Sequence, residues 1–294
     1  MPIIDRRVAL FVVTTLSLFA QPASISAQTA SLTGLPVYKS PDKPAADWLI
    51  RAPKAKAGVY RSADGKDLVL DNGLVGRVFR LSPNAATVAV ENRMTGSSLL
   101  RAVRPEALLE IDGKEVAVGG LTGQPDLAYL RPEWIDKMKS DPSTFQFSGY
   151  TVGVPVERMA WKHKRHSAQL PWPPAGVSLT LQFKAPAGQL AGVTVDVHYE
   201  LYDGIPLMAK WVTVRNGGTK SIRLNRFVAE TLAAVERESI VDDTDRWECP
   251  NLTVVTDYSF GGMSVVNSTK TVYWTADPKY TTQVNYNLKT PCLL

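Results

Sequence analysis

The sequence predicts an all-β protein built as a large two-sheet antiparallel sandwich with one short inserted helix. Three observations predict it: apolar and polar residues alternate over many short runs, turn dipeptides punctuate those runs, and a single segment departs to helical spacing. With 294 residues and 45% hydrophobic content, the chain can bury a full core. A dozen or more short strands beside a lone helix argue against a parallel α/β fold, which would alternate strands with helices throughout.

In chain order, Arg6 and Arg7 precede an apolar run from Val8 to Ala20 and a small-residue stretch ending at Ala27. This is the pattern of a secretory signal peptide over residues 1–27. The run falls short of the roughly 20 apolar residues that cross a bilayer. The mature chain is therefore expected in the periplasm or outside the cell, with no membrane anchor after cleavage. Residues 28–57 carry Pro36, Pro41, Pro44 and Pro53 and read as a linker or loosely docked arm. The sandwich domain is assigned to residues 58–294.

Within that domain, Asn72-Gly73 separates Leu68-Val69-Leu70 from a run beginning at Leu74, and Asp112-Gly113 separates Ala107 to Ile111 from Val116 to Val118. Such dipeptides accept the left-handed dihedrals of two-residue hairpins. Leu127, Leu130, Trp134 and Met138 fall at helical spacing before an Asp141-Pro142 stop and predict the inserted helix. Val177, Leu179, Leu181 and Phe183 alternate with polar residues, as do Val193, Val195, Val197, Tyr199 and Leu201, so each strand should bury one face. Further strands are expected at 207–215, 222–229, 252–257, 263–266, 271–275 and 281–288. Because the last reaches nearly to an apolar terminus, Pro291 to Leu294, the domain is expected to be truncated at its C-terminal end.

Three stretches carry a resemblance. They are Leu70 to Val75 with Asn92 to Arg101; Val103-Arg104-Pro105-Glu106-Ala107; and Tyr199 to Leu207 with Lys210 to Asn216. Together they resemble the N-terminal β-supersandwich, a galactose-mutarotase-like fold, of α-galactosidase-like glycoside hydrolases of the family-36 type. The resemblance implies an α-galactoside-cleaving enzyme in which this sandwich precedes a catalytic (β/α)8 barrel. It implies retaining hydrolysis by two aspartates on that barrel. Neither has a counterpart in this sequence, so no catalytic residue is assigned.

The net charge of +5 becomes +4 once Asp5, Arg6 and Arg7 leave with the signal, and the cations are scattered rather than striped. That excludes a nucleic-acid partner. The one basic run holds His163 and His166 among Lys162, Lys164 and Arg165, whose charges repel a metal ion, and no metal site is assigned. No phosphate loop, nucleophile elbow or paired-cysteine motif appears, and no cofactor is expected.

The candidate sugar-binding residues are Asp245, Arg246 and Trp247, in an acidic loop with Asp242, Asp243 and Glu248, and Trp172 in a proline-rich segment with Trp161. Carboxylates accept from sugar hydroxyls, while an indole face stacks on the apolar side of a pyranose. Trp134 and Trp211 are read as core residues. Cys249 and Cys292 can form a disulfide after export, or stay unpaired as small hydrophobes.

Three functions compete. The leading one is a non-catalytic sandwich of an exported α-galactosidase-like hydrolase, with carbohydrate and the downstream barrel as partners and homo-oligomerisation left open. The alternative is a stand-alone carbohydrate-binding or structural module. The third is an aldose-epimerase-like enzyme, for which His198 and Glu200 are the only nearby histidine and carboxylate on one strand face.

Overall fold

The computed structural model describes residues 31–234, apart from 43–45, 52, 128, 159, 161, 163–170, 187 and 189. The signal segment, the expected strands beyond residue 252 and both cysteines lie outside the described residues.

Within them the protein is nearly all β, a sandwich of antiparallel sheets with one short helix. The first sheet runs in sequence order through β1 (Gly58–Arg61), β2 (Asp67–Asp71), β3 (Val75–Arg80), β4 (Ala86–Asn92) and β5 (Ser97–Ser98). After it come β6 (Leu100–Ala102), then the hairpin β7 (Ala107–Ile111) and β8 (Lys114–Val118). The second large sheet holds β9 (Gln146–Gly153), β10 (Gly176–Lys184), β11 (Val193–Tyr202) and β12 (Met208–Asn216), in the order β12-β11-β10-β9. Finally β13 (Leu224–Val228) adds to β7, and β14 (Ala233–Ala234) adds to β6.

The alternating residues of β10 and β11 form the centre of the core. Leu179, Leu181, Phe183, Val195, Val197, Tyr199 and Leu201 pack with Leu68 and Leu70 of β2, Phe79 of β3 and Leu109 of β7. Each such side chain contributes about 1.5–3 kcal/mol by leaving water. The register pairs Leu181 with Val197 and Val197 with Val212, so the apolar face continues across three strands.

The helix is much shorter than its spacing predicts. Only α1 (Pro132–Ile135) is helical, a single turn. Proline disfavours helical backbone in the residue before it, and Arg131 is accordingly extended, at φ −104° and ψ 135°. Pro132 therefore starts the turn, and Leu127 and Leu130 lie ahead of it. Even so, Leu130, Trp134, Ile135 and Met138 pack in a second cluster with Val88, Val103 and Leu121.

Both hairpins form, with one difference of register. Ile111 pairs with Lys114, leaving Asp112 and Gly113 as a two-residue loop with φ of 51° and 76°. At the other hairpin, the Asn72 amide donates to the Val75 carbonyl, so the tight turn is Gly73-Leu74. Gly73 has φ +82°, and a Cβ there would stand 2.6 Å from that of Ala55, so glycine is required. Asn72 is freed for another task. Its buried side chain accepts from the Leu74 and Val75 amides and donates to the Tyr202 and Ile205 carbonyls, both at 2.7 Å.

The arm from Ser31 to Tyr38 is tied to the sandwich. Leu32 is buried, the Tyr150 hydroxyl donates to the Ser31 carbonyl, and Val37 forms a parallel bridge with Arg61. The Tyr38 hydroxyl donates to Asp71 and its ring meets Tyr60 edge-on.

Candidate functional site

Two polar assemblies are built on β11 and β12, one on each face of their sheet. Strand geometry dictates the separation, because successive side chains point to opposite faces.

On the core side, Tyr199 of β11 stands opposite Lys210 of β12. Arg77 of β3 reaches the same place, with its guanidinium 4.8 Å from the centre of the Tyr199 ring. Two isolated cations would be costly there, but two carboxylates meet them. Glu230, just after β13, receives Arg77 at 2.5 Å and Lys210 at 2.8 Å. Glu106, just before β7, accepts from the Tyr199 hydroxyl, from Arg77 at 3.4 Å, and from the Thr87 hydroxyl at 2.7 Å and amide at 2.5 Å. The Lys210 ammonium also donates to the Glu106 backbone carbonyl at 2.6 Å. Two cations thus balance two carboxylates.

Burial and the opposing charges set the protonation states. Burial pushes the Glu230 carboxyl up, but Arg77 and Lys210 together outweigh it and hold the group down at about 2. Burial, then the Arg77 charge, lowers Lys210, against the pull of both carboxylates. Burial raises the Tyr199 phenol well above its ordinary value, so it stays a donor. The Glu106 side chain is 0% exposed, and Glu230, at 34%, is the only carboxylate of the group that solvent reaches.

On the outer face the row is His198 opposite Trp211. Their rings stack at 4.8 Å with an interplanar angle of 10°. Trp211 is therefore not a core residue. The register puts Met208, Lys210, Val212 and Val214 on the inner face instead, since they share it with Tyr199, Val197 and Val195. The Arg158 guanidinium lies 3.7 Å from the centre of the Trp211 ring and donates to Glu200 at 2.7 Å. Glu200 also accepts from the Tyr202 hydroxyl at 2.7 Å. His198 bonds Thr180 through Nδ1 at 2.9 Å and Thr213 through Nε2 at 3.0 Å. Burial lowers its pKa, helped by Arg215 and Arg158 against Asp196.

Both ring nitrogens of His198 are thus committed, and Glu200 holds an arginine and a tyrosine. A general base needs a free nitrogen within reach of its proton. The pair proposed for epimerase chemistry shares a face, as its spacing requires, but each member is bound into the sheet.

Of the residues singled out for sugar binding, Trp172 lies just before β10 and is exposed at 41%. Asp245, Arg246 and Trp247 lie outside the described residues, as do Asp242, Asp243, Glu248, Trp161, His163 and His166. Among the described residues, no three His, Cys, Asp or Glu side chains gather as a metal site, and no helix is long and apolar enough to cross a membrane. The sequence reading missed Arg77, Lys210 and Glu230 as partners. A signal was present for two of them: Arg77 precedes Phe79 by two, and Lys210 lies between Met208 and Val212, so each cation interrupts the apolar face of a strand.

The chain matches no protein-family model, no curated protein and no solved structure.

Proposed function

We propose that this chain is the non-catalytic sandwich of an exported α-galactosidase-like hydrolase, supporting sugar chemistry performed on a barrel that follows it. One observation carries the reading: the three resembling stretches join one another through buried polar contacts. Asn72 of the first holds the Tyr202 and Ile205 carbonyls of the third, and Glu106 of the second binds Tyr199 and Lys210 of the third. Residues far apart in sequence and alike in phrasing thus serve one structural purpose.

The chemistry of the network agrees with a bracing role. Retaining hydrolysis needs two carboxylates about 5 Å apart with a sugar between them. Glu106 and Glu230 are two carboxylates in one buried assembly, yet both are bonded to Arg77, and Glu106 is closed to solvent. A sugar ring cannot enter between groups already joined by a guanidinium. The test is to express the chain extended through the reading frame beyond Leu294 and to assay an aryl α-galactoside. Hydrolysis by the extended protein supports the reading; an extension that encodes no barrel and confers no hydrolysis overturns it.

The exposed Trp172 favours a second reading, a carbohydrate-binding module. It requires that Trp172→Ala weaken retention on immobilised glycans, whereas a bracing sandwich is indifferent to that change.

A further inference from the structure

We infer that the outer face of the second sheet carries a guanidinium-binding site, which the chain fills with its own Arg158 and so closes to arginine-bearing ligands. Its walls are the Trp211 indole, the Glu200 carboxylate and the Tyr202 hydroxyl. These groups stand on the opposite face of the sheet from Tyr199 and Lys210, and the site uses nothing of that buried network.

The register builds a trough for the side chain. Gly153 of β9, Ser178 of β10, Glu200 of β11 and Ala209 of β12 form one row across the sheet. The neighbours of Glu200 in that row are small, and Glu200 itself is only 2% exposed. Trp211 rises from the next row on the same face, two residues along β12. The connection that follows Gly153 carries Arg158, whose guanidinium reaches past β10 to bond Glu200 at 2.7 Å and to lie 3.7 Å from the centre of the Trp211 ring.

The chemistry of the walls selects a flat cation. Glu200 has no other cationic partner among the described residues, since Arg215 is taken by Asp196. Burial, then its bond to Glu200, pushes the Tyr202 phenol up to about 12, so Tyr202 stays a neutral donor and adds no counter-charge. A buried carboxylate short of a cation is costly, which turns anions away and puts neutral ligands at a disadvantage. The indole face attracts a cation in addition, and a guanidinium, being planar and weakly hydrated, stacks there better than an ammonium.

Arg158 is attached so that it competes with a ligand. Of residues 154–158 only Pro155 is buried, and Val154 and Val156 are exposed at 68% and 57%. The segment thus stands off the sheet, and the Arg158 side chain is its ionic tie to it among the described residues. A short tether holds its group at an effective concentration on the order of millimolar. A free guanidinium is kept out until it exceeds that level, and removing Arg158 opens the site.

The test is titration of the full chain and of its Arg158→Ala variant with methylguanidinium, N-methylurea and D-galactose at constant ionic strength. The indole N–H resonance of Trp211, assigned by its loss in Trp211→Phe, reads occupancy. Methylguanidinium should shift it saturably in Arg158→Ala, binding at least about tenfold more tightly than the two neutral ligands. The wild type should bind methylguanidinium at least about tenfold more weakly than the variant, because Arg158 competes. Adding Glu200→Gln to Arg158→Ala should cost about tenfold in affinity. No saturable shift in Arg158→Ala, equal binding of a neutral ligand, equal affinity in the wild type, or full affinity with Glu200→Gln would each overturn the assignment. Should Arg158→Ala fail to fold, Arg158→Lys takes its place: its ammonium stacks less well, so methylguanidinium should still bind it more tightly than the wild type, and equal affinity overturns the assignment.

Discussion

The Tyr199 hydroxyl donates to the Glu106 carboxylate across 93 residues of chain, joining the centre of β11 to the lead-in of β7. Glu106 also holds Thr87 of β4 and Arg77 of β3, so one carboxylate ties together elements from both large sheets. Replacing it with glutamine keeps the shape and removes the charge, leaving Arg77 and Lys210 with one carboxylate. Breaking a buried pair in this way costs about 3–5 kcal/mol. For a protein of this size that lowers Tm by roughly 10 °C. Thermal unfolding followed by circular dichroism checks it, and a shift within 2 °C, a cost of at most about 1 kcal/mol, contradicts the bracing role.

Glu230 makes the fold acid-sensitive in a defined window. Its folded pKa of about 2 lies below the ordinary 4.5, so the ionised form is favoured by folding. The stability it contributes is complete above pH 4.5 and is lost as pH falls towards 2. Since solvent reaches a third of the side chain, screening limits the amount to about 1–2 kcal/mol. Glu230→Gln should flatten that part of the stability profile in urea unfolding. An unaltered slope between pH 4.5 and 2 counts against the ion pairs.

His198 should titrate below its ordinary 6.5, because burial opposes its charge. The sign follows from linkage. The unfolded chain binds the proton more readily, so this residue stabilises the fold above pH 6.5 and ceases to do so as pH falls below it. Proton NMR of the imidazole gives the midpoint directly. A value at or above 6.5 contradicts the enclosed, doubly bonded ring.

Asn72→Ala removes the donors to the Tyr202 and Ile205 carbonyls and the acceptor for two turn amides. Stranding buried polar groups costs about 1–3 kcal/mol each, partly relieved by water. A total loss of about 2–4 kcal/mol is expected in denaturant unfolding. An effect below 1 kcal/mol means the bridge between the hairpin and the end of β11 is not formed.

Period-two alternation made the fold legible where one sheet face is buried, as in β10 and β11, because register cannot slip there without exposing the whole apolar set. It misplaced Trp211, since size suggests burial while register alone decides the face. It lengthened the helix, because spacing of apolar residues says nothing about the block that Pro132 imposes on Arg131. The network was half legible: Arg77 and Lys210 interrupt apolar faces, but Glu106 and Glu230 come from connections, whose destinations no local pattern encodes.

The most direct measurement is hydrolysis of an aryl α-galactoside by the purified 294-residue chain, beside the same chain carrying Glu106→Gln. Release of phenol indistinguishable from the uncatalysed rate in both is the predicted result. Turnover by the wild-type chain that the substitution abolishes would contradict it, and would make the buried carboxylate a catalyst rather than a brace.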